Sequence, residues 1–194
     1  MGPATRFLLT ILALYIAPVL LISTDTIPRT WRFGVLIAVT LLAWTLSYLR
    51  RYGREALGFR CYAGSQPAVW ALASSAILLL PASAMGLSRR LPSVPPFWFF
   101  VFFVLTSAPA QEFLYRSFLF AQMKERNLRP VTRIVVSAGL FAFMHVVYRD
   151  GLTVAMTFLA GLVWATAYHR TGSFAVVAFS HAAVGAVAMH LRMI

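Results

Sequence analysis

Seven long apolar stretches separated by short arginine-bearing gaps constrain this chain more than anything else in it. They fall at about residues 7–23, 33–49, 67–87, 97–123, 134–148, 151–168 and 173–190. A helix of about 20 mostly apolar residues crosses the hydrocarbon core of a bilayer, so the expected fold is an all-α polytopic membrane protein, a bundle of about seven transmembrane helices. The stretches at 134–148 and 151–168 are the shortest and are marginal alone. Composition agrees: the chain is 60% hydrophobic and only 11% charged, whereas about a quarter of the residues of a soluble domain are charged. The first apolar run follows Arg6 but is longer than a signal-peptide core and lacks a small-x-small cleavage site, so it is expected to remain as a span.

The formal charge of +12 does not point to nucleic acid, because the basic residues are scattered through the gaps instead of forming one patch. They read as topology signals. Placing alternate gaps on opposite sides puts ten Lys/Arg with the N-terminus (Arg6, Arg50, Arg51, Arg54, Arg60, Lys124, Arg126, Arg129, Arg133, Arg170) and six on the other side (Arg29, Arg32, Arg89, Arg90, Arg149, Arg192). Cytoplasmic loops carry the excess of basic residues, so a multi-pass protein of the cell membrane with a cytoplasmic N-terminus is expected. The sixteen arginines against the single Lys124 hint at a GC-rich bacterial gene. Trp31, Tyr52, Tyr62, Trp98 and Tyr148 sit near span ends and read as interfacial anchors. One cysteine, Cys61, excludes an internal disulfide and any Cys-based zinc site. Small residues cluster in the last two stretches (Ala160, Gly161, Ala165, Ala167; Ala182, Ala183, Gly185, Ala186, Ala188), which predicts close approach of those two helices.

Within the fourth stretch, S-A-P-A-Q-E-F-L-Y-R-S-F (107–118) brings Gln111, Glu112 and Arg116 into an apolar span. Burying an ionisable residue there costs roughly 2.5–3.5 kcal/mol even on lenient scales, which makes it a candidate functional site. Glu112 and Arg116 are four apart and share a helix face, with Gln111 and Tyr115 on a second polar row. Pro109 is expected to bend or break the helix and free a carbonyl. His145, one turn after Phe141, and His181 lie deep in later spans. Measured from the cytoplasmic ends, Glu112 and His145 lie about 18 Å in and His181 about 12 Å in, so the three are expected to converge at one level, reached from the cytoplasmic side. A carboxylate, two imidazoles and an arginine in low dielectric suit hydrolysis, with one group activating water and others holding the oxyanion. The competing structural reading makes Glu112–Arg116 a plain ion pair and has each histidine cap a carbonyl. His169 and His190, at span ends, are expected to be solvated.

Four ordered motifs carry a resemblance: Q-E-F-L-Y-R (111–116), F-A-F-M-H (141–145), F-L-A-G-L-V-W-A-T-A-Y-H-R-T-G-S-F (158–174) and F-S-H-A-A-V-G (179–185). This series resembles the CAAX protease and bacteriocin-processing (CPBP, or ABI) family of intramembrane endopeptidases, with its E-E-x-x-x-R, F-x-x-x-H, Y-x-R-T-G-S and H-x-x-x-N. The resemblance covers about residues 95–190. It implies a protease core at 95–194, preceded by a variable three-span segment at 1–94, and the L-G-F-R around Gly58 resembles the family's pre-domain loop. It also implies roles by position: Gln111 stands where the family has its water-activating glutamate, Glu112 and Arg116 support that helix, and His145 shares the water with Phe141 before it. His181 is implied to hold the oxyanion, and Gly185 stands where its partner asparagine belongs.

Two of these positions depart from the pattern. An amide cannot act as a general base in the working range, and Glu112 is an unlikely substitute at about 100° around the axis. Gly185 offers no donor, and loss of one oxyanion donor typically costs about 10²–10³ in rate. The expected function is a CAAX-protease-like intramembrane endopeptidase cutting near the C-terminus of a membrane-associated protein or peptide, impaired in this chain by Gln111. The alternative is an inactive relative that binds a membrane partner or a C-terminal tail. A proton-relay transporter would call for inverted repeats or paired broken helices, and the sequence has neither. No cofactor is expected. Glu112, His145 and His181 form a conceivable zinc set, although no H-E-x-x-H occurs.

Overall fold

The computed structural model describes residues 2–59, 65–86 and 95–190, with side chains of the third helix described as far as Leu79. The Arg60, Cys61, Tyr62, Arg89, Arg90 and Arg192 readings lie outside that range. The seven stretches are seven helical segments: α1 (Pro3–Ser23), α2 (Arg29–Leu49), α3 (Gln66–Gly86), α4 (Phe97–Glu125), α5 (Pro130–Tyr148), α6 (Gly151–Thr171) and α7 (Phe174–His190). Five of them (α1, α2, α4, α5 and α6) are long and apolar enough to cross a membrane.

The two stretches that looked marginal, α5 and α6, are among the five, because their helices extend into the flanking polar residues. Pro130 sits in the first turn of α5, where its missing N–H costs nothing. Asp150 caps α6, its carboxylate accepting from the Thr153 N–H at 3.1 Å and the Thr153 hydroxyl at 2.6 Å. The short helix is instead α7. Ten of its 17 described residues are buried, so it is clad by protein over much of its length.

Contacts between loops define the two ends of the bundle. At one end Arg126 donates to the Pro3 carbonyl at 2.9 Å, Arg50 to Gln122 at 2.7 Å, and Tyr52 to Glu125 at 2.6 Å. Burial, and then this bond to Glu125, push the Tyr52 phenol up to about 12, so it remains a donor across the physiological range. Tyr52 is thus a tie between loops, whereas Trp31, Trp98 and Tyr148 are exposed at span ends, as anchors should be. At the other end Arg149 donates to the Ser23 carbonyl at 3.0 Å and pairs with Asp25 at 2.8 Å.

Three helical turns are π-wound: Leu12–Ile16 in α1, and Phe103–Ser107 and Phe113–Phe118 in α4. Their closing N–H groups reach back five residues, Ala17 to Leu12, Ala108 to Phe103 and Leu119 to Leu114. Two of these turns end two residues before a proline, Pro18 and Pro109. Proline lacks an N–H and its ring crowds the carbonyl four residues back; a π turn there takes up the mismatch by a slip of register. Pro109 therefore does not break α4, which runs on to Glu125.

One core joins residues of both halves of the chain, with Leu14, Tyr15, Leu36 and Ala43 packed with Phe113, Phe118, Trp164 and Tyr168. The Tyr15 hydroxyl donates to the Leu114 carbonyl at 2.8 Å. Close approach through small residues is found between α5 and α6 instead of α6 and α7: a Cβ on Gly161 would lie 2.9 Å from Ala138 Cα. α7 packs chiefly on α3 and α4. Between α2 and α3, Gly58 adopts φ +78°, and its carbonyl accepts from the Phe174 N–H at 2.9 Å. Phe59 beside it packs its ring against Trp44, Phe113 and Phe174.

Candidate active site

α4 supplies the buried polar groups. Glu112 and Arg116 are fully buried and pair one turn apart, Oε1 to Nη1 at 3.2 Å. The same Oε1 accepts from His181 Nδ1 of α7 at 2.8 Å. Arg116 Nη2 donates to the Gly161 carbonyl of α6 at 3.3 Å, and the guanidinium lies over the Phe141 ring of α5, 4.5 Å from its centroid. Four helices are thus tied through one carboxylate and one guanidinium. Removing one partner of such a buried pair leaves an uncompensated charge, a loss of about 3–5 kcal/mol.

His181 is positioned by rings. Trp164 of α6 stacks on it at 4.2 Å and 22°, and Phe141 and Phe103 meet it edge-on at 5.6 and 5.8 Å. The Trp164 indole is itself fixed: its Nε1–H donates to the Ser180 hydroxyl at 3.0 Å, where Ser74 and Ser75 of α3 also converge at 2.9 and 3.0 Å. His145 is held differently. Its Nδ1 lies 2.8 Å from the Phe141 carbonyl; a carbonyl only accepts, so Nδ1 carries the hydrogen and Nε2 keeps the lone pair of the neutral ring. The structural reading of the histidines is therefore met at His145, which does cap a carbonyl, and not at His181.

Gln111 is 7% exposed and donates to the Ser107 hydroxyl one turn back at 3.0 Å, while its Oε1 is buried without a hydrogen-bond partner among the described residues. Tyr115, expected on a shared polar row, instead packs between the Tyr15 and Phe141 rings. Gln111, His145 and His181 all line a cavity of about 640 Å³, whose wall is otherwise mostly apolar. Glu112 and Arg116 lie beneath it, sealed off. A Cβ at Gly185 would lie 2.4 Å from two ring carbons of Phe103, so that ring occupies the space an asparagine side chain would use.

The cavity overturns one expectation. Its wall includes Arg32, Pro95, Pro96, Tyr148 and Asp150, all at the end of the bundle where Arg149 meets Asp25. None of its lining comes from residues 50–59, 113–133 or 165–177; on that side Phe113, Phe118, Phe120 and Met123 are packed solid. The polar groups do converge, but they are reached from the end opposite the basic loops. Depth counted along single helices locates a level in the bundle; it says nothing about which side the neighbouring side chains close.

Among the described residues no three His, Cys, Asp or Glu side chains come together in a way that could hold a metal ion. His169 and His190 are not among the cavity residues. Ser107, Phe103, Trp164 and Ser180 do belong to the site and carried no recognised signal, except that Ser107 stands one turn from Gln111 on the same face.

A membrane-spanning helical protein that keeps ionisable groups at the floor of a chamber within its bundle falls in the class of intramembrane enzymes and transporters. Residues 93–187 match the family described as Type II CAAX prenyl endopeptidase Rce1-like, which is consistent with the CAAX protease family. At family level this match supports a CAAX-type intramembrane protease, in keeping with the several apolar helices of a multi-pass membrane protein. Comparison with curated proteins and with solved structures gave no match.

Proposed function

We propose that the chamber is the active site of a metal-free endopeptidase in which position 111 and His145 activate water. The single observation that carries this reading is that Gln111, His145 and His181 share one apolar-walled cavity over the buried Glu112–Arg116 pair. In the working form, with glutamate at 111, the carboxylate takes a proton from a water shared with His145 as the oxygen attacks the peptide carbonyl. In its doubly protonated form His181 donates to the oxyanion through Nε2 while its Nδ1–H stays on the Glu112 carboxylate, which keeps the ring aimed at the substrate. The proton then passes to the departing amine. Glu112 and Arg116 position the helix and do not touch the substrate. Residues 95–194 form the protease core, and the preceding segment, 1–94, supplies Arg32 and Phe33 to the chamber wall.

With Gln111 the chain lacks the base, and with Gly185 it lacks one donor. These two absences favour a second reading, an inactive relative that holds a membrane partner or an apolar tail in the same cavity. Side-by-side proteolysis by the Gln111 form and Gln111→Glu in host membranes separates them, with new C-termini read by mass spectrometry. The protease reading expects new termini only from Gln111→Glu, and their loss on adding His145→Ala. No new terminus from either form would sink it.

A further inference from the structure

The cavity and the charges of the loops lie at opposite ends of the same bundle. Arg6, Arg50, Arg51, Arg54, Lys124, Arg126, Arg129, Arg133 and Arg170 belong to the end tied together by the Arg126–Pro3, Arg50–Gln122 and Tyr52–Glu125 bonds. The end where the chamber opens carries Arg29, Arg32 and Arg149 among its described residues. The count over the whole sequence, ten against six, runs the same way. Basic residues in short loops stay in the cytoplasm during insertion. The helices are antiparallel and their loops are joined to one another at each end, so one assignment fixes both faces.

The chamber's own construction makes the opening directional. Its lining runs from Arg32, Pro96, Tyr148 and Leu152 at that end to Gln111 and His181, and beyond them the buried rings of Phe113 and Phe118 close the path to the basic end. A peptide cannot reach Gln111 from the basic side without unpacking the core. We propose that the substrate reaches this site from the extracytoplasmic face of the membrane, and that it is a translocated or membrane-anchored peptide whose apolar segment lies on that face, not a cytoplasmic lipid-modified C-terminus. The apolar wall of Phe33, Phe99, Phe103, Met156 and Val184 suits an extended apolar stretch. What passes through the opening rests on the protease reading; the direction of the opening does not.

The test uses the full chain in intact cells, with Cys61 first replaced by serine, and a membrane-impermeant maleimide as the probe. Leu152→Cys and, deeper in the wall, Met156→Cys report the mouth. Arg54→Cys and Arg129→Cys, both at exposed positions, report the basic end. The expected result is labelling of the mouth positions in intact cells to the extent reached after lysis, with the basic-end positions labelled only after lysis. The reverse pattern, labelling of both ends in intact cells, or mouth positions that stay unlabelled even after lysis would each overturn the proposal. Two positions at each end keep the reading available where one variant fails to fold. Failure of Gln111→Glu to cut anything would remove the protease reading and leave this labelling pattern untouched.

Discussion

Phe103 and Gly185 compete for one space. With ring carbons 2.4 Å from where a Cβ would stand, Gly185→Asn alone has to push the ring into the chamber, an overpacking cost of about 1–3 kcal/mol that thermal unfolding in detergent would read. Phe103→Ala vacates the space, and the double variant should recover most of that loss. Placed with Gln111→Glu, the Phe103→Ala/Gly185→Asn pair is expected to raise the cleavage rate above that of Gln111→Glu alone, by up to about 10²–10³ if the asparagine serves as the missing oxyanion donor. An unchanged rate would mean that no donor acts from that position. The Glu112–Arg116 pair was open to reading because two opposite charges four residues apart in an apolar run are a local pattern. Phe103 was not, because it is one phenylalanine in an aromatic run, and only its meeting with α7, about eighty residues on, distinguishes it from Phe99 or Phe102.

Among the elements, α4 and the loop ahead of α3 decide how the site is held. The π turns at Phe103–Ser107 and Phe113–Phe118 flank the short α-helical piece Ala108–Glu112, so Gln111, which lines the cavity, stands between two slips of register. The loop is held by Gly58, where φ is +78° and a Cβ would lie 2.7 Å from the Tyr168 hydroxyl oxygen and 2.9 Å from the Gly172 carbonyl. Gly58→Ala meets both the left-handed backbone cost and a rigid neighbour, together roughly 2–5 kcal/mol. A lowered unfolding temperature in detergent is the expected outcome, with Gly53→Ala, where nothing lies within 4 Å, as the unaffected control. Helix existence was legible here because each apolar run is long. The π turns were not, since Pro109 announces a defect without saying whether the helix bends, breaks or slips.

For the molecule as a whole, the outer part of the chamber is lined by α2, the start of α4, α5 and α6, and beside it the Asp25–Arg149 pair joins the α1–α2 loop to the α5–α6 loop. The hydrogen bond from Arg149, followed by the charges of Arg149 and Arg29, holds the exposed Asp25 carboxyl below its usual 3.8. A lowered folded value means that the pair's contribution is complete above the usual carboxylate range and is lost as pH falls through the lowered value. At neutral pH it is fully present. Asp25→Asn should therefore speed hydrogen exchange at 23–31 and 149–151 at neutral pH, and acidification should do the same to the parent chain but add little in the variant. Equal exchange in both proteins at neutral pH would show that the frame stands without this pair.

The sequence by itself determined the class of structure, the number of helical segments and the level at which Glu112, His145 and His181 lie, because hydrophobic length and depth along a helix are properties of one segment at a time. It also carried the four ordered motifs through which the family was legible. The tertiary structure alone decided that His181 shares its carboxylate with Arg116, that Trp164 and Phe103 fix the imidazole and exclude an asparagine, and that the chamber opens away from the basic loops. Each of these depends on which faces of separate helices meet, and packing between segments distant in the chain leaves no periodic trace in any one of them.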